Sequence, residues 1–379
     1  MTSSSTDGVV ASGARNLVVC LDGTTNEPEA GTTNVARMFD VATKDGRQQV
    51  YYDPGVGTLA ARGAITPWGQ LFTRVAGMAI GYGIKDDLAE AYTWLMRNYR
   101  EGDRIFVFGF SRGAYAARAL TGMLRTVGLL HADADNMVPY ALKLYASSGP
   151  MPDPSRPPTP QEEAARATFW RKRNDFRERF SNIAFPNPFE DERDQVHFLG
   201  VWDTVKSVGW LNVKARVEMA RWPFTRNLRN VANARHALAI DEKRRPFTEY
   251  RFDAAAVEGS SGRFQERWFA GVHSDIGGEG TPDNRLPDIA FAWMVQEAVA
   301  AGLLVNDARY HALVGVVLGA ALPPDRALGV ITPNKGIWRL ARGWRVRPIP
   351  PSDDVDPSVY ERIAWTGNGY APRNLPLRA

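Results

Sequence analysis

The chain has a single cysteine, Cys20, and five histidines among 379 residues. One thiol cannot close an internal disulfide, and a structural zinc of the usual thiolate kind has no ligand set. No closely spaced His/Asp cluster replaces it, so neither a metal nor an organic cofactor is expected. Cys20 lies in the apolar run Leu17 to Leu21 and reads as a buried hydrophobe. No apolar run approaches the ~20 residues that cross a bilayer, and Leu71 to Ile84 is broken by Arg74 and several glycines. A transmembrane segment is therefore not expected. The opening Met1 to Gly8 is small and polar, without the basic start and apolar stretch of a secretory signal. Residues 1–14 read as a frayed tail. The expected location is the cytoplasm, with secretion by a signal-independent route as the alternative. No fixed-period repeat is present, which excludes solenoids and propellers.

A block of one charge sign is also lacking. Residues 1–150 carry 14 Lys/Arg against 14 Asp/Glu and residues 151–300 carry 22 against 22, so the net +4 sits wholly in residues 301–379. There Lys335, Arg339, Arg342, Arg345 and Arg347 interleave with Trp338 and Trp344. Trp344 to Ile349 alternates with period two, which predicts a half-buried strand with its arginines outward; peripheral contact with an anionic membrane surface is the alternative. No nucleic-acid reading motif accompanies these charges, and nucleic acid is not an expected partner.

What is abundant is apolar sequence in short runs. Asn16 to Leu21, Gln49 to Tyr52, Arg104 to Phe110, Val196 to Trp202 and Arg267 to Val272 read as buried strands. Helical patterns lie between them: Ile84 to Tyr99 puts Leu88, Ala91, Tyr92, Leu95 and Met96 on one face, and Ala114 to Leu124 is rich in helix formers. The alternation predicts an α/β fold with a mostly parallel sheet covered on both sides. Residues 15–379 read as one domain. Within it, residues 147–195 read as an insertion: six prolines between Ser147 and Pro160 exclude regular structure, and the charged helix Gln161 to Phe180 that follows is expected to serve as a cap or lid.

The most informative stretch is Ile105 to Arg118. A β-branched and aromatic run enters Gly109-Phe110-Ser111-Arg112-Gly113 and leaves into Ala-rich helix, the context of a nucleophile elbow. A serine on so sharp a turn needs neighbours two before and two after without side chains, and Gly109 and Gly113 supply that room. The backbone N–H of Arg112 then stands at a helix start, where unpaired donors and the helix dipole stabilise an oxyanion. A second donor is expected from the loop Leu21-Asp22-Gly23-Thr24-Thr25-Asn26, with Gly23 and Thr24 as candidates. Asp-Gly-Thr also opens phosphatase loops, but the aspartyl nucleophile would stand at position 20, which is cysteine.

Serine requires a base, and the base a partner to orient it. His273 follows the strand-like run Trp268 to Val272 and opens the glycine-rich turn Ser274 to Gly278, the place for a base on a loop after a strand. Asp203 directly follows the run Phe198 to Trp202, at the carboxyl edge where α/β sheets assemble their sites. His236, in Ala234 to Leu238, looks helical and structural. Asp275 either assists His273 or caps its turn. Asp22, Asp275 and His236 are carried as accessory candidates.

With these residues in place the chain resembles a bacterial and fungal family of α/β-hydrolase domains that includes the Tle1-like phospholipase effectors of type VI secretion. The resemblance rests on Leu21 to Asn26, Gly109 to Tyr115, Gly200 to Val205, His236 to Pro246 and Trp268 to Gly278, in order, across about residues 16 to 350. It implies the α/β-hydrolase fold and a triad of Ser111, Asp203 and His273, in agreement with the strand-end reasoning. His236, Asp241 and Arg244-Arg245 belong to the family pattern without a role that the sequence supplies. The expected function is acyl-ester hydrolysis, with a lipid, phospholipid or other ester as substrate. The alternative is a catalytically silent hydrolase-fold module that binds an anionic lipid surface or a protein partner.

Overall fold

Strand β1, Asn16–Leu21, is buried along its whole length, and its side chains divide by parity between two cores. Leu17, Val19 and Leu21 face one core, Val18 and Cys20 the other. In the computed structural model, which describes residues 14–23, 32–55, 83–147, 156–189, 194–205, 222–281, 283–333, 344–365, 367 and 369–376, β1 is flanked by β2, Gln48–Asp53, and β3, Arg104–Phe110. The sheet continues through β4, Val196–Trp202, β5, Val231–Ala239, β6, Phe264–Phe269, and β7, Asp354–Val355. Its order is β2-β1-β3-β4-β5-β6-β7, and every pairing is parallel. A parallel sheet must be covered on both faces, because its strands are apolar on both.

Helix α1, Asn34–Val41, contributes to one core; α2, Gly83–Asn98, and α3, Arg112–Val127, to the other. The apolar stripe read from the sequence in α2 is buried: Leu88, Ala91, Tyr92 and Leu95 are fully enclosed. Helix α4, Val138–Ala146, joins the α2–α3 side. Beyond the short helices α6, Ala254–Glu258, and α7, His273–Gly277, the helices α8, Arg285–Ala300, and α9, Asp307–Val314, complete the face shared with α1. Helix α10, Pro357–Ala364, adds Val359 to a small third core with Trp268 and Ile349. The architecture is that of an α/β hydrolase, and no helix among the described residues is long and apolar enough to cross a membrane.

Helix α5, Pro160–Phe180, begins on a capping box, with Thr159 Oγ1 accepting from the Glu162 N–H and Glu162 accepting from the Thr159 N–H. Its second half is fastened by arginines. Arg173 donates to the carbonyls of Leu144 and Ser147, and Arg177 to that of Arg125, at the end of α3 remote from Ser111. Residues 1–13 of the expected frayed tail and most of the expected proline segment fall outside the described residues.

Two elements of the sheet depart from expectation. His236 stands in β5, between β4 and β6, and not in a helix. Central burial here overrides the helix propensity of the alanines around it. Strand β6 ends at Phe269, and the backbone at Gly271, with φ of 123°, leaves the sheet before His273 opens α7.

Candidate active site

The carboxyl ends of β3, β4 and β6 bring three of the expected residues together. Ser111 follows β3 and is the residue before α3, with φ 57° and ψ −118°. Asp203 follows β4 with φ 35°. Four non-glycine residues among those described have positive φ, and two of them are these. Backbone strain of this kind costs roughly 1–3 kcal/mol per residue and persists only where surrounding structure enforces it. The enforcement is visible in the glycines. A Cβ on Gly113 would lie 2.1 Å from the Leu21 carbonyl oxygen, and one on Gly109 2.5 Å from the Gly113 carbonyl oxygen. The elbow closes only because both positions lack side chains.

His273 Nε2 lies 2.9 Å from Ser111 Oγ, and its Nδ1 lies 2.6 Å from Asp203 Oδ2. The imidazole is nearly enclosed. The rings of Phe110 and Phe247 lie 4.7 and 4.9 Å from its centre. Asp203 has no exposed surface, and burial alone would raise its carboxyl. The guanidinium of Arg347 and the ring of His273 outweigh burial and hold it well below the ordinary carboxylate range. An ionised Asp203 only accepts, so His273 donates from Nδ1–H and leaves Nε2 to accept from the serine hydroxyl.

Arg347 is the residue that sequence reasoning missed. Its two terminal nitrogens reach Asp203 Oδ1 at 2.6 Å and Oδ2 at 3.0 Å. The segment from Trp344 to Ile349 forms no regular strand; Trp344 makes one bridge to Arg244, Val346 stands outward, and Arg347 turns in. The period-two reading expected a strand with both arginines outward; Arg345 is exposed, as expected, but Arg347 is not. The buried carboxylate supplies the reason, since an arginine enters a core where a carboxylate pairs with it.

The turn carrying His273 is held by three further acids. Asp275 Oδ2 accepts from the Val272 N–H at 2.9 Å and its carboxylate also accepts from Thr332, so it caps the turn. Glu242, paired with Arg244, accepts from the His273 N–H at 3.2 Å. Asp241 accepts from the Gly271 N–H at 2.8 Å and from the Tyr370 hydroxyl. Asp241 and Arg244, without a role in the sequence, thus support the loop that presents the histidine.

His236 sits one layer behind. Its Nε2 accepts from the Thr204 N–H at 3.1 Å, and its Nδ1 lies 2.8 Å from Glu266 Oε1. Burial, with Arg118 nearby, lowers its pKa to about 4, so the ring is neutral and fixes the peptide that follows Asp203.

At the β1 loop, Gly23 approaches Ser111 closely, and a Cβ added there would meet Ser111 Cβ at 3.4 Å. Its N–H, expected to face an oxyanion, instead donates to Asp22 Oδ1 at 2.7 Å. The buried carboxylate of Asp22 takes this donor together with the hydroxyls of Thr33 and Tyr52, and burial raises its pKa to about 6. Thr24 lies outside the described residues. Among those described, no group of three or more His, Cys, Asp or Glu side chains is placed to hold a metal ion.

Residues 15–297 match the family described as type VI secretion system phospholipase effector Tle1-like, catalytic domain. An uncharacterized protein of Saccharomyces cerevisiae is 29% identical over 249 residues, which cover 64% of this chain and 33% of that protein. The chain therefore spans about a third of that relative's length. Among solved structures, an uncharacterized protein from Pseudomonas aeruginosa shares 18% identity with a TM-score of 0.42, over 78% of this chain and 47% of that one. The Tle1 effector bound to the VgrG spike of the type 6 secretion system shares 17% identity with a TM-score of 0.35, over 71% and 52%.

Proposed function

The chain belongs to the Tle1-like catalytic domain family of phospholipase effectors, and from that membership we propose that it is a serine hydrolase cleaving the acyl ester of a lipid or phospholipid. The observation that carries the reading is the hydrogen-bonded series from Ser111 Oγ to His273 and on to Asp203, at 2.9 and 2.6 Å. A serine hydroxyl gains nucleophilicity only with a base in reach, and the base works only in the right tautomer.

In the proposed reaction Ser111 Oγ attacks the ester carbonyl while its proton passes to His273 Nε2. The negative charge formed on the carbonyl oxygen is met by the Arg112 N–H, first in α3, at the positive end of the helix dipole. Collapse breaks the ester bond, and His273 returns the proton to the departing alcohol. Water, deprotonated by His273, then releases the acid and restores the serine. Trp344, 38% exposed, and Val346, 47% exposed, flank Arg345 and suit peripheral contact with an anionic lipid surface.

The test is hydrolysis of short and long p-nitrophenyl esters and of phosphatidylcholine by the protein and by a Ser111→Ala variant of unchanged circular dichroism. Ser111-dependent hydrolysis is expected, and the preferred ester separates phospholipase from general esterase. Equal rates for both proteins on every substrate would reject the reading in favour of a silent binding module.

A further inference from the structure

We infer that Arg347 is a positioning residue of the site: its guanidinium is the fixed counter-ion of Asp203 and thereby limits how strongly Asp203 stabilises the protonated ring of His273. The inference rests on the serine-hydrolase reading for its consequence in catalysis, but the coupling itself is a property of three side chains.

The geometry is that of a built contact. Arg347 is 2% exposed, and beside its two bonds to Asp203 it donates to the carbonyls of Ala239 at 3.0 Å and Phe247 at 2.6 Å. Asp203 is satisfied on both oxygens: Oδ1 also accepts from the Ala239 N–H at 3.1 Å, and Oδ2 shares its remaining capacity between Arg347 and His273. The fork fixes the plane of the carboxylate and so the direction in which His273 is held, which a point charge would not do. Arg347 also lies 144 residues beyond Asp203 and outside the span that matches the family's catalytic domain. The sheet up to β6 brings the triad candidates together, and the segment after it supplies their counter-ion.

Charge counting gives the consequence. An Asp–His pair alone carries −1 and becomes neutral when the ring takes a proton. With Arg347 the group is neutral and becomes +1, so protonation of the ring is less favourable. The other acids near the group are held in different ways. Glu242, which accepts from the His273 N–H, is paired with Arg244, and Glu266, bonded to His236 behind Thr204, is paired with Arg251. Asp275 accepts from the neutral donors of Val272 and Thr332. Glu249 lies 3.7 Å from Arg347 Nε and 3.8 Å from Arg345, and its charge is the same in every variant compared.

The experiment is an NMR titration of the His273 ring, its signal assigned with His273→Gln, in the parent protein, Arg347→Lys and Arg347→Met. Removal of the cation is expected to raise the titration midpoint by about one pH unit or more, whereas Arg347→Lys, which keeps the charge, stays closer to the parent. Because Arg347→Met leaves a buried carboxylate unpaired and can unfold the protein, the same comparison is made between Asp203→Asn and Asp203→Asn/Arg347→Met, where loss of the cation is again expected to raise the midpoint. An unmoved midpoint in either comparison overturns the inference, as does a shift in Arg347→Lys as large as in Arg347→Met. Ser111-dependent hydrolysis is measured in parallel. A midpoint shift without such hydrolysis would remove the serine-hydrolase reading and leave the coupling of Arg347 to His273 standing.

Discussion

The backbone N–H of Ser111 donates to the carbonyl oxygen of Trp202 at 3.1 Å, one residue before Asp203. The two positive-φ residues of the site are thereby placed by one strand pairing, in which Phe110 stands opposite Trp202. Neither turn relaxes without moving the other, and what holds them is close backbone packing.

Gly113→Ala is accordingly expected to be among the most damaging single changes. The obstacle to its methyl group is the backbone of Leu21 and Asp22, which cannot swing aside. Overpacking costs typically 1–3 kcal/mol where side chains yield, so a loss of at least about 3 kcal/mol in urea denaturation is expected, together with loss of the proposed ester hydrolysis. Gly46→Ala, with nothing within 4 Å of its added carbon, serves as the control. Equal urea midpoints for the two variants would contradict the packing argument.

Asp203→Asn is expected to act twice. It removes the acceptor that selects the His273 tautomer, for which a loss of about 10⁴-fold in kcat is typical. It also leaves Arg347 buried opposite a neutral amide, and a broken buried pair costs about 3–5 kcal/mol. Parallel kinetics and denaturation test both, and a variant as stable as the parent would show that Arg347 finds its compensation elsewhere.

Acid should weaken the fold in two stages. The folded-state pKa of His236 is about 4, below the ordinary 6.5, because burial disfavours the charged ring. The unfolded chain therefore binds the proton first, and this stability is complete above about 6.5 and lost as pH falls towards 4. For Glu266 burial works the other way, but its bonds to His236, Arg251 and Phe252 outweigh it and lower its pKa from 4.5 to about 2. Its contribution is complete above about 4.5 and lost as pH falls further. Urea midpoints measured from about pH 7 down to about pH 4.5 should fall more steeply for the parent than for His236→Asn, in which no ring titrates; parallel curves would assign the acid lability to other groups.

Asp22 runs in the opposite sense. Burial raises its folded-state pKa from 3.8 to about 6, so its stabilising effect is present below about 3.8 and is lost as pH rises through 6. Asp22→Asn should gain on the parent as pH rises from about 5 to about 7, by about 1.4 kcal/mol, and no further above that. A stability difference that stays constant over that range would show that the carboxylate is better solvated than its burial suggests.

Much of this arrangement is legible in the sequence where a single local requirement decides the residue. The strands β1, β3 and β4 read as apolar runs because both of their faces are covered, and the elbow reads clearly because only glycine fits at 109 and 113. Ser111, Asp203 and His273 follow from strand ends, and the three side chains do meet. Strand β5 is unreadable because Ala-Asn-Ala-Arg-His-Ala carries no β-branched residue and its strand state is imposed by neighbours on both sides. Arg347 is misplaced for a different reason: the segment is not a regular strand, so Arg345 is exposed while Arg347 is buried, and the deciding carboxylate stands 144 residues earlier. The N–H of Gly23 is assigned by loop position alone, where the carboxylate of the adjacent Asp22 competes for it.

Two phenyl rings, those of Phe110 and Phe247, pack against the imidazole of His273, and Asp203 holds its Nδ1, so the ring is kept in one orientation. On the proposed reaction it must deliver its proton from the same spot at which it received it. The departing alcohol therefore has to come to the ring, and esters whose leaving oxygen cannot reach Nε2 in the attacking pose will add to the serine and revert without turning over.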